Sequence, residues 1–364
     1  MPRLPLALLA AAVALAVIVP APAGARASRD FVGLTSEDLI KRSSAYRQAA
    51  LGDQASLGVG LIRQTFDWSK IERAPGRYRL KRYDRYVADA AQRGVEILPI
   101  LFNPPSFRSS RPSRGARRGT YPPRDPQAMG RLGAVLARRY GPHGSLWAQR
   151  PALPRRPIGS WQVWNEPNLP VYWPRGPSAR SYTRLLGATG RAIKRVDRRA
   201  EIVTAGLPDS RLRGAVSLRR FIAGIYRARG RRAFDTLAVN AYSRDSRELD
   251  RRMRSVRRSM NARGDRRARI WITEIGWCDK GARSRFCVGA DGQARRVESS
   301  LRLVAKRRQR LRLRGVVYYS WRDGRPYRPL FQNLWGLHTG LLTTSGVRKP
   351  AFAAFARGAR ALRR

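Results

Sequence analysis

Trp161-Gln-Val-Trp-Asn-Glu-Pro-Asn168 opens as an apolar, aromatic run and stops at a proline, with a glutamate just before it. Ile270-Trp-Ile-Thr-Glu-Ile-Gly-Trp277 repeats the arrangement, and Glu274 is followed two positions later by glycine. Such runs read as short strands that end at a loop, each carrying a carboxylate at its C-terminal tip. A charge beside bulky indoles is costly to desolvate, so packing alone is a poor reason for keeping it there.

Outward from these two runs the chain alternates strand-like and helix-like segments, with no linker that would divide it. The strand candidates are Phe31–Leu34, Gly60–Gln64, Glu96–Phe102, Trp161–Asn165, Ile202–Ala205, Thr236–Ala241, Ile270–Glu274 and Gly315–Ser320. Helical patterns fall between them, near 42–56, 82–93, 126–139, 179–198, 216–228, 246–262 and 292–311, with a last one near 350–362. Near-continuous apolar strands alternating with helices call for a parallel sheet covered on both faces. Eight of each predict an α/β fold, a (β/α)8 TIM barrel forming a single domain over 28–364, with its chemistry at the C-terminal strand ends. The segment 103–125, rich in Pro, Ser and Gly, is expected to overhang that end.

The ends of the chain and its charge bound the setting. Residues 4–19 are uncharged and apolar, follow Arg3, and lead into Ala-x-Ala sites after Ala23 and Ala27. They read as a signal peptide over 1–27, with an uncleaved N-terminal anchor as the alternative. A secreted or cell-envelope location is expected. In that setting Cys278 and Cys287 are expected to form a disulfide, the alternative being two free thiols. With only His143 and His338, remote in sequence from each other and from the cysteines, no zinc site, metal or other cofactor is expected. The net charge of +51 is carried almost wholly by arginine and spread over the whole chain. No nucleic-acid-binding spacing accompanies it, so a specific nucleic-acid partner is not expected. Either the arginines are solvated surface, or they favour an anionic cell envelope or an acidic polysaccharide.

Glu166 and Glu274 on separate strands are the minimum equipment for splitting a glycosidic bond. At this point the chain resembles a known group. Trp164-Asn-Glu-Pro-Asn168 and Trp271-Ile-Thr-Glu-Ile-Gly-Trp277 are similar to the strand-four and strand-seven signatures of clan A retaining glycoside hydrolases. Arg63-Gln-Thr-Phe-Asp-Trp-Ser-Lys-Ile-Glu72 resembles the clan's strand-two region, and Gly336-Leu-His with Lys349-Pro-Ala-Phe its closing segment. The likeness spans about 30–362 and is nearest to bacterial enzymes near families 5 and 39, including exopolysaccharide-type hydrolases.

The resemblance implies Glu166 as general acid/base and Glu274 as nucleophile, with a retaining pair about 5–5.5 Å apart. It further implies that Asn165 binds the sugar 2-hydroxyl, that Tyr242 hydrogen-bonds the nucleophile, and that Arg63 keeps it ionised. Trp321 matches the indole platform under the sugar, while Trp68, Trp173 and Trp277 are candidates for the cleft wall. Asn103 is expected either to point into the cleft or to cap its loop. Asn240 departs from the clan, which often carries His there. The expected function is double-displacement hydrolysis of a polysaccharide or oligosaccharide, which is anionic if the charge has a purpose, by a monomer. The alternative is a barrel that binds cell-envelope glycan without turnover.

Overall fold

The computed structural model describes residues 27–281, 283–325 and 334–362. The expected signal segment lies outside them, apart from Ala27. Eight strands, β1 Val32–Thr35, β2 Leu61–Asp67, β3 Glu96–Phe102, β4 Ser160–Val163, β5 Glu201–Val203, β6 Thr236–Asn240, β7 Arg269–Ile275 and β8 Leu313–Tyr318, close into a barrel. Each strand pairs in parallel with its sequence neighbours, and β8 pairs with β1. Outside run α1 Ser44–Ser56, α2 Lys81–Gln92, α3 Pro126–Tyr140, α4 Ala179–Val196, α5 Leu218–Arg227, α6 Ser246–Asn261, α7 Gly289–Arg307 and α8 Pro350–Ala361. This is the expected (β/α)8 barrel. Among the described residues no helix is long and apolar enough to cross a membrane.

Local chemistry sets where the helices begin. Asp125 caps α3 by accepting from the Gln127 N–H at 2.8 Å, with Pro126 in the first turn, where a missing N–H costs nothing. Asp245 caps α6 by accepting from the Glu248 N–H at 2.8 Å. Gly130 lets α3 seat closely on α4, since a Cβ there would lie 3.0 Å from the Ala188 carbonyl oxygen.

Inside the barrel, Leu61, Leu98, Val203, Ala238, Trp271 and Val317 form one apolar layer. Strand side chains alternate, so the residue two further along each strand belongs to the next layer towards the barrel mouth. That step brings in Arg63, Ile100, Asn240, Thr273 and Tyr319, and the filling turns from apolar to polar. β2 continues to Asp67, so Arg63 sits mid-strand rather than at the strand end that the sequence suggested.

β7 carries one residue more than its neighbours. Against β6, Val239 pairs with Ile272 but Asn240 with Glu274; against β8, Val316 pairs with Ile272 but Tyr318 with Ile275. Both partners skip a residue around Thr273, which is a β-bulge. Strict alternation from Trp271 would turn Glu274 towards the helices. The bulge brings it to the mouth instead. Just beyond, Cys278 and Cys287 form the expected disulfide in the loop before α7.

Candidate active site

A cavity of about 360 Å³ opens at the C-terminal strand ends, and both glutamates line it. Glu166 does not end a strand as expected: β4 stops at Val163, and Trp164 and Glu166 take φ of 74° and 44°. Left-handed backbone at two non-glycine residues is costly and is found where surrounding structure holds it for a purpose. Here the double turn buries the Trp164 indole, whose N–H donates to the Tyr172 carbonyl at 3.0 Å, and leaves Glu166 on the cavity wall.

The two carboxyls have different partners. Glu274 accepts from Arg63 Nη1 at 2.6 Å and from the Tyr242 hydroxyl at 2.5 Å. Glu166 accepts from Asn240 Nδ2 at 2.7 Å and, among the described residues, has no guanidinium of its own. Burial, reinforced by the negative charge of Glu274, pushes the Glu166 carboxyl up to about 8, against smaller opposing effects of Asn240 and Arg63. Burial and the adjacent Glu274 also lift the Tyr242 phenol far above its ordinary range, which keeps it a donor. One carboxyl is therefore arranged to hold a proton and the other to sit in an ion pair.

Arg63 organises the floor. It is 2% exposed, and besides Glu274 it donates from Nε to Gln162 Oε1 at 2.7 Å and from Nη2 to Asn165 Oδ1 at 3.0 Å. Because Oδ1 of Asn165 is used in this way, its amide NH2 is the group left for the cavity. Asn240, buried at the end of β6, is fixed by Thr273, whose hydroxyl donates to its Oδ1 at 2.9 Å. A Cβ on Gly206 would lie 2.1 Å from that same Oδ1, so only glycine admits Asn240 in this pose.

The tryptophans are where the sequence reading fails. Trp321 is 1% exposed and packs 6.0 Å from the Phe352 ring of α8, outside the cavity. Trp68 donates to Glu72 Oε2 at 2.6 Å, and Trp173 packs edge-on to Trp164 and Tyr182; both are buried. Trp277 is buried too, donating to the Ser243 carbonyl at 2.7 Å. All four are core residues. The aromatic walls are instead Phe102 and Tyr172 on one side, with Tyr242, Tyr319 and Trp335 on the other. Trp335 sits 4.7 Å from the Tyr242 ring and 4.8 Å from Phe286. The loop 103–125 contributes nothing to the lining, and Asn103 caps the turn at Trp68 by donating to Asp67 Oδ1 at 2.9 Å.

A third carboxylate, Glu37, was not foreseen. It follows β1 and lines the cavity. Its Oε1 accepts from the Thr65 N–H at 3.0 Å and the Thr65 hydroxyl at 2.9 Å, while its Oε2 accepts from Gln64 Nε2 at 2.7 Å. Crowding by protein atoms raises its pKa, although the side chain stays open to the cavity. Asp279, Asp323 and His338 also approach one another, but Lys349 Nζ lies 2.9 Å from Asp279 and 2.8 Å from Asp323 and supplies the positive charge there.

No protein-family model matches the chain, and no curated protein does. Its structural neighbours are glycoside hydrolases. A family 39 glycoside hydrolase from Bacteroides cellulosilyticus WH2 superposes with a TM-score of 0.66 at 17% identity, over 93% of this chain and 64% of that one. The GH39 enzyme from Xanthomonas axonopodis pv. citri gives 0.65 at 18% identity, over 92% and 67%. The endo-β-1,4-mannanase from Thermotoga petrophila gives 0.62 at 11% identity, over 92% and 77%. The chain thus spans about two thirds of the family 39 structures it resembles, and the likeness is one of fold.

Proposed function

We propose that the protein is an exported retaining glycoside hydrolase acting on an equatorial linkage of a polysaccharide or oligosaccharide. One observation carries the reading: two glutamates share a cavity at the strand ends, one arranged to keep a proton and the other paired with a guanidinium and a phenol. In the first step Glu274 attacks the anomeric carbon while Glu166 gives its proton to the departing oxygen, so the glycosidic C–O bond breaks as an ester bond forms. Esterification removes the charge of Glu274 and with it one of the effects that raise Glu166. Glu166 then takes a proton from water, the resulting oxygen attacks the same carbon, and the Glu274 carboxylate is released. The Asn165 amide faces the sugar, and Trp335 with Tyr319 offers flat apolar faces for its ring.

Three carboxyls, Glu37, Glu166 and Glu274, face this cavity with Arg63 as the one cation on its wall among the described residues. That balance favours a neutral sugar at the point of cleavage over a uronate. The test is reducing-sugar release from neutral and acidic polysaccharides by wild type and Glu274→Ala side by side. Release by wild type alone supports the reading. Equal release by both removes Glu274 as nucleophile.

A further inference from the structure

On the outside of the barrel lies a second concavity, an open groove of about 920 Å³ that shares no residue with the cleft. It begins at the α3 N-terminus, follows α4 from Thr183 to Arg195 and on to Arg198 just past its end, and is bounded on the other side by the segment after α5, Ala228 to Ala233. Arg184, Arg191, Arg195 and Arg198 recur at steps of seven, four and three residues. At 3.6 residues per turn the first three share one stripe of α4, about 16 Å long, and Arg198 follows just past the helix end at Val196. Arg229 and Arg232 face the groove from the opposite wall.

The six arginines are exposed and form no ion pair with a described acidic residue. The acids nearby have partners of their own: Asp235 pairs with Lys194 at 2.8 Å, Asp125 with Arg131 at 3.0 Å, and Asp197 accepts from the Arg199 N–H at 2.9 Å. Arg191 and Arg195 are like charges one helical turn apart, which destabilises a helix unless something neutralises them. Arg229 stands at φ 59°, at a helix end where glycine is the usual residue. The floor is made of small residues, Gly187, Ala188, Gly190 and Ala233, which open the space, and no aromatic side chain lines it.

We propose that this groove binds an acidic polysaccharide, as an anchoring site separate from the cleft. Six unpaired guanidiniums along two walls suit a linear chain of repeated carboxylates, each of which a guanidinium can grip in bidentate fashion. A single-stranded nucleic acid fits less well, because its bases have no aromatic surface to stack on. The cleft, with three carboxyls to one guanidinium, does not compete for the polyanion.

The experiment is a titration of polygalacturonate, with dextran as neutral control, at about 0.15 M salt, where diffuse surface charge is largely screened. The groove variant Arg191→Glu/Arg195→Glu/Arg198→Glu is compared with Arg73→Glu/Arg82→Glu/Arg85→Glu, an equal charge change at exposed positions elsewhere. Arg191→Gln/Arg195→Gln/Arg198→Gln serves should the reversal impair folding. The groove variants are expected to lose affinity about tenfold more than the control, while Glu274→Gln binds as wild type does. Equal losses in groove and control variants would overturn the site in favour of diffuse charge. A DNA oligonucleotide bound more tightly than polygalacturonate, with the same groove dependence, would overturn the choice of ligand.

Discussion

Arg63 Nη1 donates to Glu274 Oε1 at 2.6 Å, tying the middle of β2 to the bulged end of β7 across the barrel mouth. The same guanidinium holds Asn165, the residue before Glu166. One buried cation thus fixes Glu274 and the loop that carries Glu166, the nucleophile and proton donor of the proposed reaction. Removing it leaves Glu274 without its charge partner, a loss that for buried pairs amounts to several kcal/mol.

Glu274→Ala should lower turnover by roughly 10⁴-fold or more, since no other group attacks the anomeric carbon. Glu166→Ala should lose most on substrates with poor leaving groups and least on activated aryl glycosides, which need no proton. Rates on a leaving-group series check both; a uniform loss in Glu166→Ala would reassign the acid.

Activity should fall on the alkaline side as pH rises through about 8, where Glu166 gives up its proton. Asn240 favours the ionised form through its 2.7 Å hydrogen bond, so Asn240→Ala should move that limb to higher pH. Stability follows the same group. A carboxyl raised on folding contributes fully below its unfolded value, and its contribution is lost as pH rises through the folded value. Glu166→Gln should therefore flatten the decline of Tm between about pH 4.5 and 8. A wild-type and variant pH–rate profile, with Tm at each pH, tests both signs.

Tyr242→Phe removes one hydrogen bond to a charged oxygen and little volume. It should cost kcat/KM roughly 10- to 100-fold, the worth of a charge-assisted bond. Tm should barely move. A large loss of Tm instead would make the hydroxyl a structural group.

The two tryptophans on either side of the boundary between core and cleft should part company. Trp321→Ala should destabilise folding by about 3–5 kcal/mol, as for a buried indole. Trp335→Ala should raise KM with little change in denaturant midpoint. Thermal or chemical unfolding, set beside KM, separates them.

Glu37→Gln should reduce kcat/KM on neutral aryl glycosides and narrow the preference for them over the matching uronide. Unchanged selectivity would remove Glu37 from sugar recognition.

The barrel was legible because alternation and apolar runs are local. β3 matches its expected bounds, and the other strands shift by one to three residues. Glu166 and Glu274 stood out through their motifs, and the structure brings both to one cavity, but how they point was not legible. Glu166 reaches the cavity through left-handed backbone and Glu274 through a bulge, and neither leaves a period in the sequence. Trp321 was misplaced because alternation runs out before it: Val317 and Tyr319 face inward, but β8 ends at Tyr318, and the chain beyond turns Trp321 onto Phe352 although its parity matches theirs. Trp68 has a local partner four residues on, Glu72, which made its indole N–H a core group. Glu37 could not have been singled out, because its partners Gln64 and Thr65 belong to the neighbouring strand.

The extra residue in β7 makes the site a matter of counting as much as of chemistry. Adding one residue between Trp271 and Ile272, ahead of the bulge, would leave every functional group in the chain and a continuous strand to pair on both sides. It would also swap inside for outside from that point on, turning the carboxylate to the helices and an isoleucine to the substrate. Loop grafting or strand shuffling on this scaffold must therefore conserve odd and even along β7, or it will produce a well-folded barrel with its nucleophile facing the wrong way.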